Sequence, residues 1–219
     1  MAACHADTVI TMSVYGLPTT YEDGSYNGFA FATIDGVSNQ WIICDDAADV
    51  TYVPSGNMLY DESTVGGSDP LQSARFTQGP EVQNYDEAAV LVWELDGAVL
   101  SGGSQDSADA ITDYQYALWN LFDPYNATTN PNGIATTSSQ AALQAAALNL
   151  VKTEGAMLST TVYPYVNVFT PDPNGGSMGN QEFLQFSTPE PGTFLLFAGG
   201  LLVAAAAKLR RGLGKRPGA

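Results

Sequence analysis

Histidine is almost missing from this 219-residue chain: the single one is His5, at the extreme N-terminus. That removes Ser-His-Asp and Cys-His catalysis, and histidine-rich zinc sites, from the rest of the chain. Basic residues are nearly as scarce. Residues 1–188 hold 22 acidic side chains against only Arg75 and Lys152, a net charge of −20. Such a surface repels phosphate backbones, so nucleic acid is excluded as a partner. There is no EF-hand spacing and no internal repeat of fixed period. No residue pattern calls for a cofactor. What the chain does have is apolar content of 45%, with 9 Phe, 11 Tyr and 3 Trp. That suffices for a real core, and the length allows one ordinary domain with a short appendage.

The other five basic residues crowd the C-terminus: Lys208, Arg210, Arg211, Lys215 and Arg216. Just before them, residues 192–207 carry no charge and are apolar or small. As a helix these 16 residues would cover ~24 Å, slightly short of the roughly 30 Å hydrocarbon core. Snorkelling of Lys208 and Arg210 would close the gap, and the basic cluster would face the cytoplasm. A single transmembrane helix over 192–207 is therefore expected, opened by the break Pro189-Glu190-Pro191. This order, Pro-Glu-Pro then a short apolar span then a basic terminus, resembles the PEP-CTERM sorting signal of Gram-negative bacteria. The resemblance spans about 187–216. It implies an exosortase as partner, anchoring in the inner membrane before processing near the Pro-Glu-Pro, and delivery to the cell surface or an exopolysaccharide matrix.

An exported chain needs a signal peptide, and residues 1–8 (MAACHADT) lack a basic n-region and an apolar h-region. Residues 1–6 are expected to be the remnant of a truncated signal peptide, cleaved after Ala6. A lipobox ending at Cys4 is the competing reading.

Between the ends, strand-like alternation or β-rich composition marks 8–15, 26–35, 37–44, 58–60, 160–170 and 182–186, with shorter 49–53 also a candidate. Asp35-Gly36 signals a hairpin. Along 37–44, Trp41 and Ile43 should face one way, Ile42 and Cys44 the other. Three helices are expected near 85–95, 109–122 and 139–154, with Asn84 capping the first and Gly97 and Gly155 as stops. The expected fold is α+β, a β-rich sandwich or barrel with a helical insertion. The globular ectodomain would occupy 7–170, with a Pro/Gly/Asn-rich linker over 171–188 and the sorting tail over 189–216.

Removal of residues 1–6 leaves one cysteine, Cys44, near the end of a strand. A lone cysteine in an oxidising compartment reads either as a reactive thiol or as a small buried apolar residue. On the helix over 109–122, Ile111, Gln115, Leu118 and Phe122 share one face, and Gln115 is the only polar member. A buried carboxamide without partners costs about 1–3 kcal/mol, so Gln115 needs one. A backbone hydrogen bond would serve. So would attack of the Cys44 thiolate on the amide, with loss of ammonia, to give an internal thioester.

These two spots resemble the thioester domains of bacterial surface adhesins. There an aliphatic-Cys-acidic strand end pairs with a helix reading Gln-x-Ala-aliphatic-Trp. Ile43-Cys44-Asp45 and Gln115-Tyr116-Ala117-Leu118-Trp119 follow these patterns, and the helix beginning Tyr85-Asp86-Glu87 stands between them as in the family. The resemblance covers roughly 26–123. It implies Cys44 as the thioester sulfur, Gln115 as its acyl partner and Trp119 as the shield against water, with amines or hydroxyls on a target surface as acceptors.

Asp45, Asp46 and Asp49, and Asp106, Asp109 and Asp113, form two acidic clusters that read as solvated surface charge rather than a calcium site. Tyr15, Tyr21, Tyr26, Tyr52 and Tyr60 read as cross-strand packing rather than a sugar platform. The body is accordingly expected to be a binding or adhesion domain and not an enzyme, a self-formed thioester being single-turnover chemistry. The competing expectation is an extracellular carbohydrate-active hydrolase using paired carboxylates.

Overall fold

The computed structural model describes residues 8–16, 20–22, 25–27, 29–47, 55–66, 71, 73–76, 83–100, 107–123, 136–174 and 180–187. The chain divides into two units between Phe186 and Ser187, and all the strands and helices described belong to the first. The segments carrying the expected signal-peptide remnant, the 49–53 strand, Asp106 and the tail from 188 onward lie outside the described residues. Among those described, no helix is long and apolar enough to cross a membrane.

Among the described residues there are eight strands: β1 (Thr8–Gly16), β2 (Thr20–Glu22), β3 (Ser25–Asn27), β4 (Phe29–Ile34), β5 (Val37–Cys44), β6 (Met58–Thr64), β7 (Val166–Pro171) and β8 (Phe183–Phe186). Six close into an antiparallel barrel in the order β1-β4-β5-β8-β7-β6, while β2 and β3 form a separate two-stranded sheet. The expected sandwich-or-barrel resolves as a barrel. The β4–β5 hairpin turns at Asp35 and Gly36, both with positive φ (46° and 82°). A primed turn needs that conformation, and Asp-Gly adopts it cheaply.

Every second residue points into the barrel: Ile10, Met12 and Val14 from β1, Ala30 and Ala32 from β4, and Ile42 and Cys44 from β5. Tyr60, Phe169 and Phe183 fill the opposite side, the Tyr60 and Phe183 rings lying 6.3 Å apart. Small alanines on one wall leave room for large rings on the other, as the narrow interior of a small barrel requires. The outward faces of β5, β7 and β8 (Ile43, Val166, Val168, Leu184, Phe186) belong to a second core shared with the helices. The predicted division of Trp41 and Ile43 from Ile42 and Cys44 holds.

Three helices build that second layer: α1 (Asn84–Leu100), α2 (Ser107–Phe122) and α3 (Ser138–Thr161). Helix α1 is buried from Ala88 to Val92 without a break. Helix α3 buries only Gln140, Ala147 and Leu158 along its length. It opens on a capping box in which the Thr137 hydroxyl accepts from the Gln140 N–H and the Gln140 side chain accepts from the Thr137 N–H.

Four sequence expectations need correction. Gly97 and Gly155 do not stop their helices, which continue to Leu100 and Thr161. A Cβ at either glycine would meet nothing within 4 Å, so each costs only the ~1 kcal/mol of a helical glycine, which packing elsewhere along the helix outweighs. Asn84 lies inside α1, and its amide donates to the Leu121 carbonyl rather than capping. The stretch 160–170 is not one strand: it holds the end of α3, a single 3-10 turn at Tyr163–Tyr165 around Pro164, and then β7. Finally, 171–188 is not simply a linker, because β8 lies within it and every β8 residue is buried between β5 and β7.

Candidate functional site

The site lies where the barrel end meets the helices. Strand β5 pairs with β8 through Ile43↔Leu184 and Cys44↔Phe183, and the Asp45 N–H then donates to the Glu182 carbonyl at 3.4 Å. Cys44 is thus the last paired residue of its strand, 7% exposed. The chain curls around its sulfur: the thiol donates to the Asp46 carbonyl at 2.9 Å, and the Asp46 N–H points back at Sγ from 3.3 Å. Burial, and next the charge of Asp45, push the Cys44 thiol well above its ordinary value. At rest it is a thiol and not a thiolate.

Helix α2 presents Gln115, Leu118 and Phe122 on one buried face, with Ile111 half-buried. Gln115 is wholly buried, and its amide Nε2 donates to the backbone carbonyl of Cys44. Its Oε1 has no hydrogen-bond partner. Seventy-one residues separate the two in sequence, and the fold brings the Gln115 amide onto the Cys44 backbone. Trp119, one turn further along α2, is buried and stacks edge-on against Tyr116 with centroids 5.3 Å apart. Its indole N–H lies near enough to favour Cys44 ionisation slightly, without completing a hydrogen bond of its own.

Sequence reasoning missed the polar cluster beside this pair. Asp45 and Glu182 are both fully buried. Glu182 accepts from the Tyr85 hydroxyl of α1, the Thr170 hydroxyl of β7 and the Arg75 backbone N–H (2.8 Å). The Arg75 guanidinium pairs with Asp46 and donates to the Asn180 carbonyl at 2.8 Å. Burial pushes the Tyr85 phenol far up, with Glu182 adding to it, so its O–H remains a donor. Burial first, then the charge of Glu182, drives the Asp45 carboxyl well above the usual carboxylate range. One signal for this cluster stood in the sequence: Arg75 is the only arginine before position 210.

Asp45 and Asp46, expected as solvated surface charge, are both buried. The reason is tertiary: the segment before β8 closes over the end of β5, where the Asp45 N–H bonds the Glu182 carbonyl, and the distant Arg75 guanidinium compensates Asp46. Among the described residues no group of three or more His, Cys, Asp or Glu is placed to hold a metal ion. Tyr21 and Tyr26 pair across β2 and β3, Tyr60 fills the barrel, and the Tyr15 hydroxyl donates to the Asn39 side chain at 2.7 Å. Tyr52 lies outside the described residues. So do the sorting residues Pro189, Glu190 and Pro191 and the basic Lys208, Arg210, Arg211, Lys215 and Arg216.

No curated protein matches the chain in sequence. Among solved structures it is similar to the N-terminal thioester domain of the fibronectin-binding protein SfbI from Streptococcus pyogenes, at 13% identity and TM-score 0.44, covering 86% of this chain and 97% of that one. The N-terminal thioester domain of a Clostridium perfringens surface protein is similar at 14% identity and TM-score 0.42, covering 81% and 98%. That of a protein F2 like fibronectin-binding protein from Streptococcus pneumoniae is similar at 14% identity and TM-score 0.43, covering 84% and 98%. At its C-terminal end the chain carries the PEP-CTERM protein-sorting motif, matched over residues 187–211.

Proposed function

We propose that this is an exported surface or matrix protein, delivered through its C-terminal sorting motif and exosortase processing, whose body is an adhesion domain armed with an internal Cys44–Gln115 thioester. The observation that carries the chemistry is the buried Gln115 carboxamide held on Cys44's own backbone carbonyl. In the forming step Cys44 Sγ bonds to Gln115 Cδ, the Cδ–Nε2 bond breaks, and the thiol proton leaves with the nitrogen as ammonia. A surface amine or hydroxyl later attacks Cδ and releases the thiol, joining the protein covalently to its target in one turnover. Trp119 and the surrounding apolar residues keep water off the bond meanwhile. The sorting motif supports export, and 22 acidic residues against two basic ones over residues 1–188 support a partner other than nucleic acid. A polysaccharide hydrolase is the weaker reading. Its best-paired carboxyls, Asp45 and Glu182, have no exposed surface for a sugar to reach.

Intact mass tests this directly. The full chain should weigh one ammonia less than its sequence, Cys44→Ala should carry the full mass, and methylamine should add to the first and not the second. A full-mass wild-type chain with an alkylatable thiol would refute the thioester.

A further inference from the structure

The Cys44 sulfur lies between the two backbone groups of a single residue, Asp46. The thiol donates to the Asp46 carbonyl at 2.9 Å, and the Asp46 N–H points at Sγ from 3.3 Å. These two groups favour opposite states of the sulfur: the carbonyl holds the protonated form, and the N–H favours the ion. Thioester formation needs the ion, because the thiolate is the nucleophile.

The turn over residues 44–46 is built for that change of partner. A carbonyl accepts two donors, and the Asp46 carbonyl has a second in the Gln181 side-chain amide, at 3.0 Å. It therefore keeps a partner when the thiol proton leaves. The other end of the residue is fixed as well, since the Asp46 carboxylate pairs with the Arg75 guanidinium. The same guanidinium donates to the Asn180 carbonyl at 2.8 Å, and the Arg75 backbone N–H donates to the Glu182 carboxylate at 2.8 Å. Arg75 thus ties the turn after β5 to the segment before β8. That segment carries Gln181 and the Glu182 carbonyl that receives the Asp45 N–H. A rigid guanidinium fork can hold two such partners at once, where a lysine offers a single point of charge. Of the charged groups facing the sulfur, Asp45 and Glu182 oppose its ionisation and Arg75 favours it.

We infer that Arg75 and Gln181 are positioning residues for thioester formation: they hold Asp46 so that its carbonyl keeps Cys44 as a thiol at rest and its N–H steadies the thiolate that attacks Gln115. The assignment rests on the thioester reading above. The covalent step is unchanged: Sγ bonds to Cδ, the Cδ–Nε2 bond breaks, and the thiol proton ends on the ammonia. Arg75 and Gln181 act through Asp46 and exchange no proton.

Two readouts on the full-length chain test this, with Cys4→Ser throughout so that Cys44 is the only thiol. Intact mass follows ammonia loss from newly synthesised chain. The Raman S–H band, titrated with pH in a Gln115→Leu background where no thioester forms, gives the thiolate fraction of the folded protein. Gln181→Met removes the second donor to the Asp46 carbonyl, and Arg75→Lys keeps the charge but gives up the fork. Each should lower both the ammonia-loss rate and the thiolate fraction about fivefold. Thr137→Ala, a remote helix cap, should leave both unchanged. Lost stability alone would reduce the folded fraction without moving the thiolate fraction of the chains that remain folded. Wild-type values of both readouts in the folded variants would overturn the positioning role and leave the thioester standing. Slower ammonia loss with an unmoved thiolate fraction would overturn it too, because the effect would then lie elsewhere than on the sulfur. Where Arg75→Lys does not fold, Gln181→Met decides alone. No ammonia loss in the wild type would remove the thioester, and this role with it.

Discussion

The barrel interior and the seam between barrel and helices are built on opposite rules. Inside the barrel, Ile10, Met12, Val14, Ile42, Phe169 and Phe183 pack apolar against apolar, and stability scales with area removed from water. At the seam, Asp45, Asp46, Glu182 and Gln115 are buried, with Tyr85, Leu118 and Phe122 in the adjoining core. A purely stabilising core has no use for such groups, since each must find compensation or incur a desolvation cost. On the proposed function, the seam carries the chemistry and the barrel holds it in place.

Removing the one cation of the seam should break the contrast most forcefully. Arg75→Ala takes the guanidinium away from buried Asp46 and from the Asn180 carbonyl. A cost of about 3 kcal/mol is expected in denaturant unfolding. Ile10→Val, inside the barrel, should cost only about 1 kcal/mol. Equal costs at the two positions would contradict the division.

The same division explains what could be read from sequence. Strand β1 announced itself by alternation over Thr8–Gly16, and β5 by its β-rich run ending Trp41-Ile42-Ile43-Cys44, apolar on both faces because one meets the barrel interior and the other the helices. The α2 stripe did too, so Gln115 stood out as its polar member. Glu182 and Tyr85 did not, because their partners lie 97 residues apart and nothing in either neighbourhood marks the contact. Asp45 and Asp46 were misleading for a related reason. Acidic residues after a strand usually face water, and only the closure of β8 against β5 buries these two. The tail was legible from order and charge alone, and the match over 187–211 falls on it.

A pH titration sharpens the comparison with a smaller effect. Asp45 is held well above the usual carboxylate range by burial and by Glu182, so the fold prefers its protonated form. That contribution is complete below the ordinary aspartate value of about 4 and is lost as pH rises through the raised one. Unfolding free energy should therefore fall with rising pH over that window, and fall less steeply in Asp45→Asn. Glu62, Asp86, Glu87, Glu94 and Asp96 are also raised by burial, so the slope in the variant should shrink without vanishing. An unchanged slope would mean that Asp45 is ionised in the folded protein.

The smallest change in stability should accompany the largest loss of chemistry. Gln115→Leu replaces a wholly buried carboxamide, whose Oε1 has no partner, with an apolar group of similar length. It gives up the hydrogen bond to the Cys44 carbonyl, which is worth about 1 kcal/mol net. It gains the transfer of an apolar side chain beside Leu118 and Phe122, and it removes an unsatisfied acceptor. The two should nearly cancel, leaving unfolding within about 1 kcal/mol of wild type while ammonia loss disappears. A glutamine kept for packing or for its hydrogen bond would behave in the opposite way, with leucine costing several kcal/mol and no mass difference to lose. That outcome would return Cys44 and Gln115 to the ordinary core and erase the distinction between seam and barrel.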